Sequence, residues 1–263
     1  MAENVISIRE ADGNIIRLEI YNELQSTASL ARQYAKEGYP DRYVVFSEKQ
    51  GKTTLTGNKA TDEGMEYGMF MSLILRPSFF PSQASLLGAL SASATVSALE
   101  EHTTKQLGIG WVSNIYCNGK RIGGTSIEAK LDNFTTFEYI IINFAIKLDN
   151  KNFPPRLTDM IKKVFESENT SISMIIARNI LSKFFRYYPN IKNSSKFMNI
   201  YNEKFAQRGK RIKYDDGQNQ FRCKILSVHQ ENGSLIIDRR GKEENVTSPT
   251  FVSIPKRIKI KKK

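Results

Sequence analysis

The stretch that most constrains the fold of this chain is residues 110–130, GWVSNIYCNGKRIGGTSIEAK, which holds the only tryptophan. The pair Asn118-Gly119 stands between two runs that are typical of β-strands, residues 114–117 and 120–129. Because both residues of the pair tolerate a positive φ, this spacing predicts a tight β-hairpin.

The second strand of this hairpin carries Gly123 and Gly124 in its interior. Paired glycines weaken a strand, so they indicate a bulge or a place where something approaches the backbone closely. Two cations, Lys120 and Arg121, come just before the glycines. A hairpin that places cations beside glycine backbone suits an anionic ligand. An ordinary surface hairpin explains the same pattern.

The charge of the chain is basic and unevenly distributed. With 263 residues, the chain is long enough for one large domain or two smaller ones with a sizeable core. Its formal net charge is +12, and residues 255–263 supply six of these charges without any acid. The remainder is mildly basic, which suits an anionic substrate such as a nucleotide but is not by itself a signature of nucleic-acid binding. The basic tail suits nucleic acid, anionic lipid or an import receptor, or is a solubilising end.

The cysteines and histidines do not predict a metal site. Cys117, Cys223, His102 and His229 have none of the usual ligand spacings. Cysteines used in this way predict a reducing, cytoplasmic setting. The first residues lack an apolar run and the longest apolar stretch, residues 139–146, is broken by a polar residue, so neither a secretory signal nor a membrane span is predicted.

The first half of the chain mixes strands and helices. Strands are predicted at residues 15–21, 43–46 and 69–75, and the last is apolar on both faces and therefore central. Ser26 or Thr27 should cap a helix that runs to about residue 36. Residues 48–67 are polar and rich in Gly and Thr, and a loop of that length is usually functional or disordered.

The second half ends in a different pattern. After a helix at residues 81–101 and the hairpin, a buried strand is predicted at 135–147, followed by helices at 154–166, 171–187 and 197–207. From Gly209 onward, short alternating strands separated by Asp-Gly, Asn-Gly and Arg-Gly turns are typical of a small β-barrel. The sequence therefore predicts a first domain at 1–208, a barrel at 209–254 and a basic tail at 255–263.

The motifs, taken in their order along the chain, resemble those of the biotin–protein ligases that lack an N-terminal DNA-binding domain. The segment LQSTASLARQYAKEG resembles the family's Ser-Thr pair at a helix start, and FSEKQ resembles the strand that ends in a biotin-contacting Gln. The segment GMFMSLILRP is similar to the strand after the family's nucleotide loop, and residues 110–129 are similar to its KWPND segment and catalytic hairpin. The segment YNEKFAQRGKRIKY matches the helix that leads into the C-terminal barrel.

This resemblance implies an α+β fold and an activity. The implied fold is a mixed, mostly antiparallel sheet with flanking helices on one side, as in the class II synthetase-like catalytic domain of the family, followed by an SH3-like barrel. The implied activity is that of an ATP-dependent ligase, which activates biotin as biotinyl-5′-AMP and transfers it to a lysine of a biotin carboxyl carrier domain of a carboxylase. ATP with Mg²⁺, biotin and the carrier domain are the implied partners, and the family also suggests a homodimer. No membrane partner is implied, nor nucleic acid apart from the basic tail.

The resemblance also assigns residues to roles. Those implied to contact biotin are Ser26, Thr27, Gln50, Thr54, Thr56, Trp111, Arg121, Gly123 and Gly124. Those implied to contact the nucleotide are Thr53, Thr56, Lys59, Asn114 and Lys147. Arg121 falls at the position of the family's catalytic lysine and is the predicted catalytic residue, and no protein ligand to a metal is implied.

Several motif positions depart from the family pattern. The two arginines of the family's Gly-Arg-Gly-Arg loop fall on Thr54 and Thr56. The Lys and Asp of KWPND are Gly110 and Asn114, and the last residue of the family's Gly-x-Gly-x-Asn strand end is Lys147. Arg121 keeps the charge of the catalytic lysine but not its compact geometry.

These departures leave three functions open. An active biotin ligase needs the surrounding cations to rebuild the lost positive field, namely Lys52, Lys59, Lys120, Arg121 and Lys147. The alternatives are a catalytically weak or inactive family member that binds biotin, a nucleotide or a carrier domain, and an acyl-ligase for another carboxylic acid. The barrel and the KWPND-like segment argue against a lipoate ligase in particular.

Overall fold

The chain forms two β-sheets with helices packed against the larger one. The computed structural model describes residues 4–10, 13–51, 65–79, 81–132, 136–148, 171–215, 220–246 and 250–251. The helix predicted at residues 154–166, most of the loop predicted at 48–67 and the basic tail lie outside these residues. Strands extend into both ends of that loop, as far as Gly51 on one side and back to Met65 on the other.

The larger sheet has eight strands, and it is mixed but mostly antiparallel, as predicted. In chain order its strands are β1 (Asn4–Arg9), β2 (Ile15–Leu24), β3 (Tyr43–Gly51), β4 (Met65–Leu75), β5 (Leu107–Gly110), β6 (Asn114–Cys117), β7 (Lys120–Asp132) and β8 (Thr136–Ile146). Their spatial order is β1-β2-β3-β4-β8-β7-β6-β5, and among the described strands of this sheet only β2 and β3 pair in parallel.

Helices cover both faces of this sheet, which corrects the prediction that they lie on one side. Helix α1 (Thr27–Lys36) connects the parallel strands β2 and β3, and it packs on one face with Ala31 and Ala35 against Val45, Ile74 and Ile141. A parallel pair cannot be joined by a tight turn, so its connection has to cross over a face of the sheet. We call this side the α1 face.

The other helices pack on the opposite face, which holds the main core. They are α2 (Leu87–Glu100), α3 (Ile172–Tyr187) and α4 (Ser195–Lys204). Helix α2 is buried nearly all round, since its Ala, Ser and Gly residues allow close approach to the strands and to α3. Strand β4 therefore has helices on both sides, which explains its continuous apolar run, MFMSLIL.

Helix α1 is held firmly at its C-terminal end by Arg76. The guanidinium of Arg76 donates to the carbonyl oxygens of Ala35 (2.8 Å), Tyr39 (2.8 Å) and Glu138 (2.9 Å). These bonds satisfy a carbonyl at the end of the helix and place a cation at the negative end of its dipole. The helix is therefore fixed to strands β4 and β8 of the sheet.

The residues after Gly209 form short antiparallel strands, as the sequence predicted. The strands β9 (Arg211–Asp215), β10 (Gln220–Val228), β11 (Leu235–Arg239), β12 (Lys242–Val246) and β13 (Thr250–Phe251) make a second sheet in the order β12-β11-β10-β9-β13. Its inner side chains, among them Tyr214, Ile225 and Ile237, are buried and continuous with the main core. This arrangement is consistent with a barrel-like C-terminal domain.

Trp111 joins the two sheets. Its ring is 2 % exposed, and its Nε1–H donates to the carbonyl oxygen of Gly233 in the β10–β11 turn at 2.9 Å. Its main-chain N–H donates to Oε1 of Gln207 at 2.7 Å, and the hydroxyl of Tyr201 donates to the carbonyl oxygen of Val112 at 2.7 Å. The segment after β5 is thus tied to the helix and turn that lead into the second sheet.

Within the described residues, no helix is both long and apolar enough to cross a membrane.

Trp111→Phe should lower the free energy of unfolding by about 1–3 kcal/mol, because it keeps a large ring in the core but leaves the Gly233 carbonyl without its donor. Urea denaturation followed by far-UV circular dichroism measures this change. Tyr67→Phe, at a position where the side chain is 73 % exposed, is the control and should change stability little. Equal stability of Trp111→Phe and the wild-type chain would contradict the link between the sheets.

Candidate active site

Hydrogen bonds across the sheet establish which residues share a face. The carboxylate of Glu128 on β7 pairs with Arg32 of α1, whereas the hydroxyl of Thr125 contacts that of Ser91 on α2 at 2.8 Å. Because side chains alternate along a strand, Gly124 and Ser126 belong to the α1 face together with Glu128. The positions paired with them on β8, Ala145 and Asn143, share that face.

Ser26, Thr27 and Gln50 meet at the N-terminus of α1. Ser26 is the N-cap residue of α1, as predicted, and its Oγ accepts from the main-chain N–H of Ser29 at 3.2 Å. Oε1 of Gln50, at the end of β3, accepts from the main-chain N–H of Thr27 at 2.8 Å and from its hydroxyl at 3.0 Å. Both side chains therefore satisfy donors that a helix start leaves unpaired.

This contact determines in which direction the Nε2 group of the Gln50 carboxamide points. A main-chain N–H can only donate, so the atom that faces Thr27 has to be the carboxamide oxygen. The Nε2 group of Gln50 consequently points away from Thr27. Gln50 can therefore act only as a hydrogen-bond donor toward a ligand at this position.

The predicted hairpin is present, with Asn118 at φ 47° and Gly119 at φ 78° in the turn. Tyr116 pairs with Arg121 and Ile115 pairs with Gly123, so Ile122 is the extra residue of a β-bulge. Opposed residues of an antiparallel pair point to the same side, and Tyr116 lies on the side of Asn114 and Gly124. The register therefore directs Arg121 to the α1 face.

Lys120 is directed away from Arg121. It pairs with Cys117, which is part of the main core on the opposite face, and its side chain is exposed. Adjacent positions on a strand face opposite sides. Only Arg121 of the two hairpin cations therefore shares a face with Gln50 and the start of α1.

Arg121 is a partly buried cation without a counter-ion in the part of the chain that is described. Its Nε atom is inaccessible to solvent and has no hydrogen-bond acceptor among the described residues. Burial lowers the pKa of its guanidinium, and the neighbouring Tyr116 acts weakly in the other direction. An unpaired buried donor is costly, so an acceptor or anion at this place is favoured.

Gly123 and Gly124 are required by the neighbouring backbone. A Cβ at Gly124 would lie 2.7 Å from the carbonyl oxygen of Ser113, and a Cβ at Gly123 would overlap the carbonyl oxygen of Ala145. The close approach that the sequence predicted is therefore made by adjacent strands. Direct contact of these glycines with biotin stays a prediction.

The structure does not bring Trp111 to the α1 face. Ile109 and Ile115 of the same region belong to the main core, and Trp111 lies with them, against the second sheet. Its assignment to the same cleft as Gln50 and Arg121 therefore needs correction, because its ring packs in the main core and its Nε1–H donates to Gly233. The sequence pattern alone does not distinguish a pocket wall from a core residue.

Asn114 and Lys147 flank the Arg121 position. Asn114 pairs with Gly124, and its Nδ2 group donates to the carbonyl oxygen of Trp111 at 3.3 Å. The exposed Lys147 continues β8, since its main-chain N–H donates to the carbonyl oxygen of Ile122 at 2.8 Å. The other predicted nucleotide and biotin contacts, Thr53, Thr54, Thr56 and Lys59, lie outside the described residues, in the segment that follows Gly51.

Polar residues that the sequence analysis passed over lie between these groups. Ser72 on β4 contacts the hydroxyl of Thr27, and Asn143 on β8 contacts Ser72 and Glu128. A signal for both was present, since each interrupts an apolar run, MFMSLIL in β4 and YIIINFAI in β8. Their contacts extend the Gln50–Thr27 pair across the sheet toward β7.

Glu48 precedes Gln50 by two residues, at the point where the register between β3 and β4 shifts. The hydroxyl of Ser171, the N-cap residue of α3, donates to Oε1 of Glu48 and accepts from the main-chain N–H of Met174 at 3.1 Å. Burial raises the pKa of the Glu48 carboxyl above its ordinary value. Strand β3 is thereby attached to the start of α3 just before the segment that is predicted to bind the nucleotide.

Among the described residues, no group of three or more His, Cys, Asp or Glu side chains could hold a metal ion. The site presents a carboxamide that donates and the cation of Arg121, so a ligand with acceptor oxygens and negative charge fits it best.

Comparisons with known proteins point to one family. No family model matches the chain. Over 177 residues it is 29 % identical to the bifunctional ligase/repressor BirA of Bacillus subtilis and 28 % identical to the BirA of Bacillus spizizenii. The match covers 64 % of this chain and 53 % of each relative, so the chain spans about half the length of the curated relatives it matches.

Solved structures show the same fold over most of the chain. A single-residue mutant of the biotin protein ligase of Aquifex aeolicus, in complex with biotin, superimposes with a TM-score of 0.63, at 17 % identity, over 88 % of this chain and 95 % of that one. The same enzyme in complex with biotin and ATP gives a TM-score of 0.61 over the same shares of both chains, also at 17 % identity. At such identities the likeness shows the fold, and together with the sequence match it confirms the resemblance inferred from the motifs.

Glu48→Gln should raise the melting temperature at pH 7. A carboxyl whose folded-state pKa is raised favours the folded state while it is protonated, and this contribution is lost as the pH rises above its unfolded value of 4.5. The glutamine keeps an oxygen for the Ser171 hydroxyl but carries no charge. The gain should vanish at lower pH, as measured by thermal unfolding between pH 4 and 8. Glu231→Gln, at an exposed position, is the control, and a gain that does not depend on pH would contradict this origin.

Proposed function

We propose that this chain, which is similar in sequence to the biotin–protein ligases and has their fold, is an ATP-dependent ligase. It activates biotin as biotinyl-5′-AMP and transfers the biotin to a lysine of a biotin carboxyl carrier domain. The proposal draws on residues 1–208 as the catalytic unit and on residues 209–254 as an SH3-like barrel, with residues 255–263 as a basic tail.

The observation that carries the proposal is the position of Arg121. Its buried Nε donor lacks an acceptor among the described residues and faces the α1 side of the sheet. Gln50 and the start of α1 lie on the same side, at the end of the sheet where β3 finishes and β7 begins. Three strand spacings separate β3 from β7, roughly 15 Å, which is a distance that an extended acyl chain can span.

The chemistry of the proposed reaction needs groups of this kind. The biotin carboxylate attacks the α-phosphate of ATP, a new C–O–P linkage forms, and pyrophosphate leaves. The carrier lysine then attacks the acyl carbon, and AMP leaves. Negative charge gathers at the reacting carboxylate and phosphate, and a fixed cation lowers the barrier by stabilising it.

The residues of this chain divide these tasks. The guanidinium of Arg121 holds the reacting carboxylate and offsets charge at the α-phosphate, because it stays protonated and offers several donors. Gln50 donates to an acceptor oxygen of biotin, and Lys147 lies next to Arg121 on the neighbouring strand as a second cation. The start of α1 adds a partial positive charge toward the same space.

ATP reacts as its Mg²⁺ complex, and the ion neutralises phosphate charge. The described residues offer no cluster of carboxylates for the ion, so no protein ligands are assigned to it.

Arg121→Ala should reduce adenylate formation by about 100-fold or more, since the loss of one preorganised electrostatic donor has an effect of that order. Arg121→Lys should keep or improve the rate, because lysine is the residue type of the family at this position. Pyrophosphate release with ATP and biotin is the measurement, and Lys120→Ala, whose side chain faces the other way, is the matched control. Rates that follow Lys120 instead would show that the assigned register is wrong. Biotin binding without pyrophosphate release by the wild-type protein would favour the non-catalytic alternative.

Gln50→Glu should weaken biotin binding at least tenfold, because it replaces the outward donor by an acceptor while keeping an oxygen toward Thr27. Isothermal titration with biotin and with iminobiotin, whose ureido oxygen is replaced by an N–H group, identifies the end of biotin that Gln50 contacts. Contact with the ureido oxygen reverses the preference of the variant toward iminobiotin, whereas contact with the carboxylate weakens both ligands equally. Unchanged affinity for biotin would exclude Gln50 from the site.

A further inference from the structure

A chain of hydrogen bonds runs across the α1 face from Gln50 to the surface. Beyond Thr27, the Oγ atom of Ser72 lies 3.0 Å from Oγ1 of Thr27 and 2.8 Å from Oδ1 of Asn143. Nδ2 of Asn143 donates to Oε1 of Glu128 at 3.1 Å. Arg32 closes the chain with two parallel bonds to the Glu128 carboxylate, at 2.9 and 3.0 Å.

The ionised end of the chain orients the groups that follow. The Glu128 carboxylate only accepts hydrogen bonds, so Asn143 has to turn its amide group toward it and its oxygen toward Ser72. That oxygen needs a donor, and the Ser72 hydroxyl is placed to supply it. The hydroxyl carries a single proton, so it cannot donate to Thr27 at the same time.

The Thr27 hydroxyl is the next group along this chain of hydrogen bonds. Its proton has two acceptors at 3.0 Å, Oε1 of Gln50 and Oγ of Ser72. Donation to Ser72 completes an unbroken run of hydrogen bonds from Thr27 to Glu128, and the main-chain N–H of Thr27 continues it to Gln50. In either arrangement the main-chain N–H of Thr27 keeps the carboxamide oxygen of Gln50 toward Thr27 and its amide group directed away. Hydrogen bonds linked in this way polarise one another, so a change at one end is felt at the other.

Two properties of this chain of hydrogen bonds, a buried hydroxyl in the middle and an exposed ion pair at the end, go beyond what stability requires. Ser72 is fully buried within the apolar run MFMSLIL of β4, and a polar group there is unfavourable unless it is hydrogen-bonded. At its far end, the side chains of Arg32 and Glu128 are 41 % and 38 % exposed, so this pair adds little to stability. Breaking the Arg32–Glu128 pair should therefore change the orientation of the hydrogen-bonded groups while changing the free energy of unfolding little.

We infer that Ser72, Asn143 and the Arg32–Glu128 pair are positioning residues. They fix the place of Thr27, whose main-chain N–H in turn holds Gln50 so that Gln50 contacts the acid as a hydrogen-bond donor. The inference rests on the proposed function, since biotin is the acid in question. The four residues act through Thr27 and Gln50, and no direct contact with the acid is assigned to them.

The variants Arg32→Met and Ser72→Ala test this role, each with a matched control. Lys130→Met breaks the Lys130–Glu138 pair, which joins β7 to β8 at similar exposure but has no link to the chain. Ser93→Ala removes an equally buried hydroxyl that bonds to Phe197 in the opposite core. Both test variants should raise the KM for biotin about tenfold and leave kcat within about twofold, since a lost hydrogen bond changes affinity to this extent. The controls should leave KM unchanged, and Arg32→Lys should restore part of the affinity.

A second readout does not depend on biotin. In ¹H–¹⁵N spectra of the free protein, Arg32→Met should shift the main-chain amide signal of Thr27 and the side-chain amide signals of Gln50, whereas Lys130→Met should not. Unchanged signals, or a KM that rises equally in the controls, would overturn the inference. If the signals shift but the wild-type protein binds no biotin, the oriented chain stands and the proposed function fails.

Discussion

The hydrogen bond from the Thr27 main chain to the Gln50 carboxamide is the contact on which the site depends. It joins the start of α1 to the end of β3, two elements that the parallel β2–β3 connection places side by side. Arg76 anchors the other end of the same helix to β4 and β8. With both ends held, α1 keeps a fixed distance from the sheet, and the polar groups of the α1 face keep their orientation.

The second determinant is the bulge at Ile122. One extra residue in β7 changes which side chains of the hairpin face α1, since each residue inserted into a strand reverses the side. With the bulge, Arg121 lies on the α1 face and Lys120 on the other. The glycines that follow allow the strands to approach closely enough to keep this register. The same hairpin thus delivers a cation to one face and core residues to the other.

The arginine that this chain has in place of the family's catalytic lysine suits the partly buried position of that residue. The resemblance implies a lysine where this chain has Arg121, and the structure buries part of the guanidinium without giving it an acceptor among the described residues. Arginine tolerates burial as a cation better than lysine, because its charge is delocalised and weakly hydrated. Asn143, which stands where the family's strand end has a glycine, fills space on the same face and bonds to Ser72 and Glu128. Asn143 therefore makes the α1 face of this chain more polar than the family pattern alone implies.

The sequence by itself determined the local elements: the Asn118-Gly119 hairpin, the Ser26 cap of α1, the central strand β4 and the short strands after Gly209. Each of these follows from a period or a turn signal within a few residues of the element. Only the tertiary structure decided that helices cover both faces, that Trp111 belongs to the core between the sheets, and that Ser72, Asn143 and Glu128 join Gln50 in one chain of hydrogen bonds. The face to which a side chain points, and the residues that it contacts, depend on strand register and on the Ile122 bulge. Both are set by pairing with strands that are distant in the sequence, and a local sequence pattern does not contain this information.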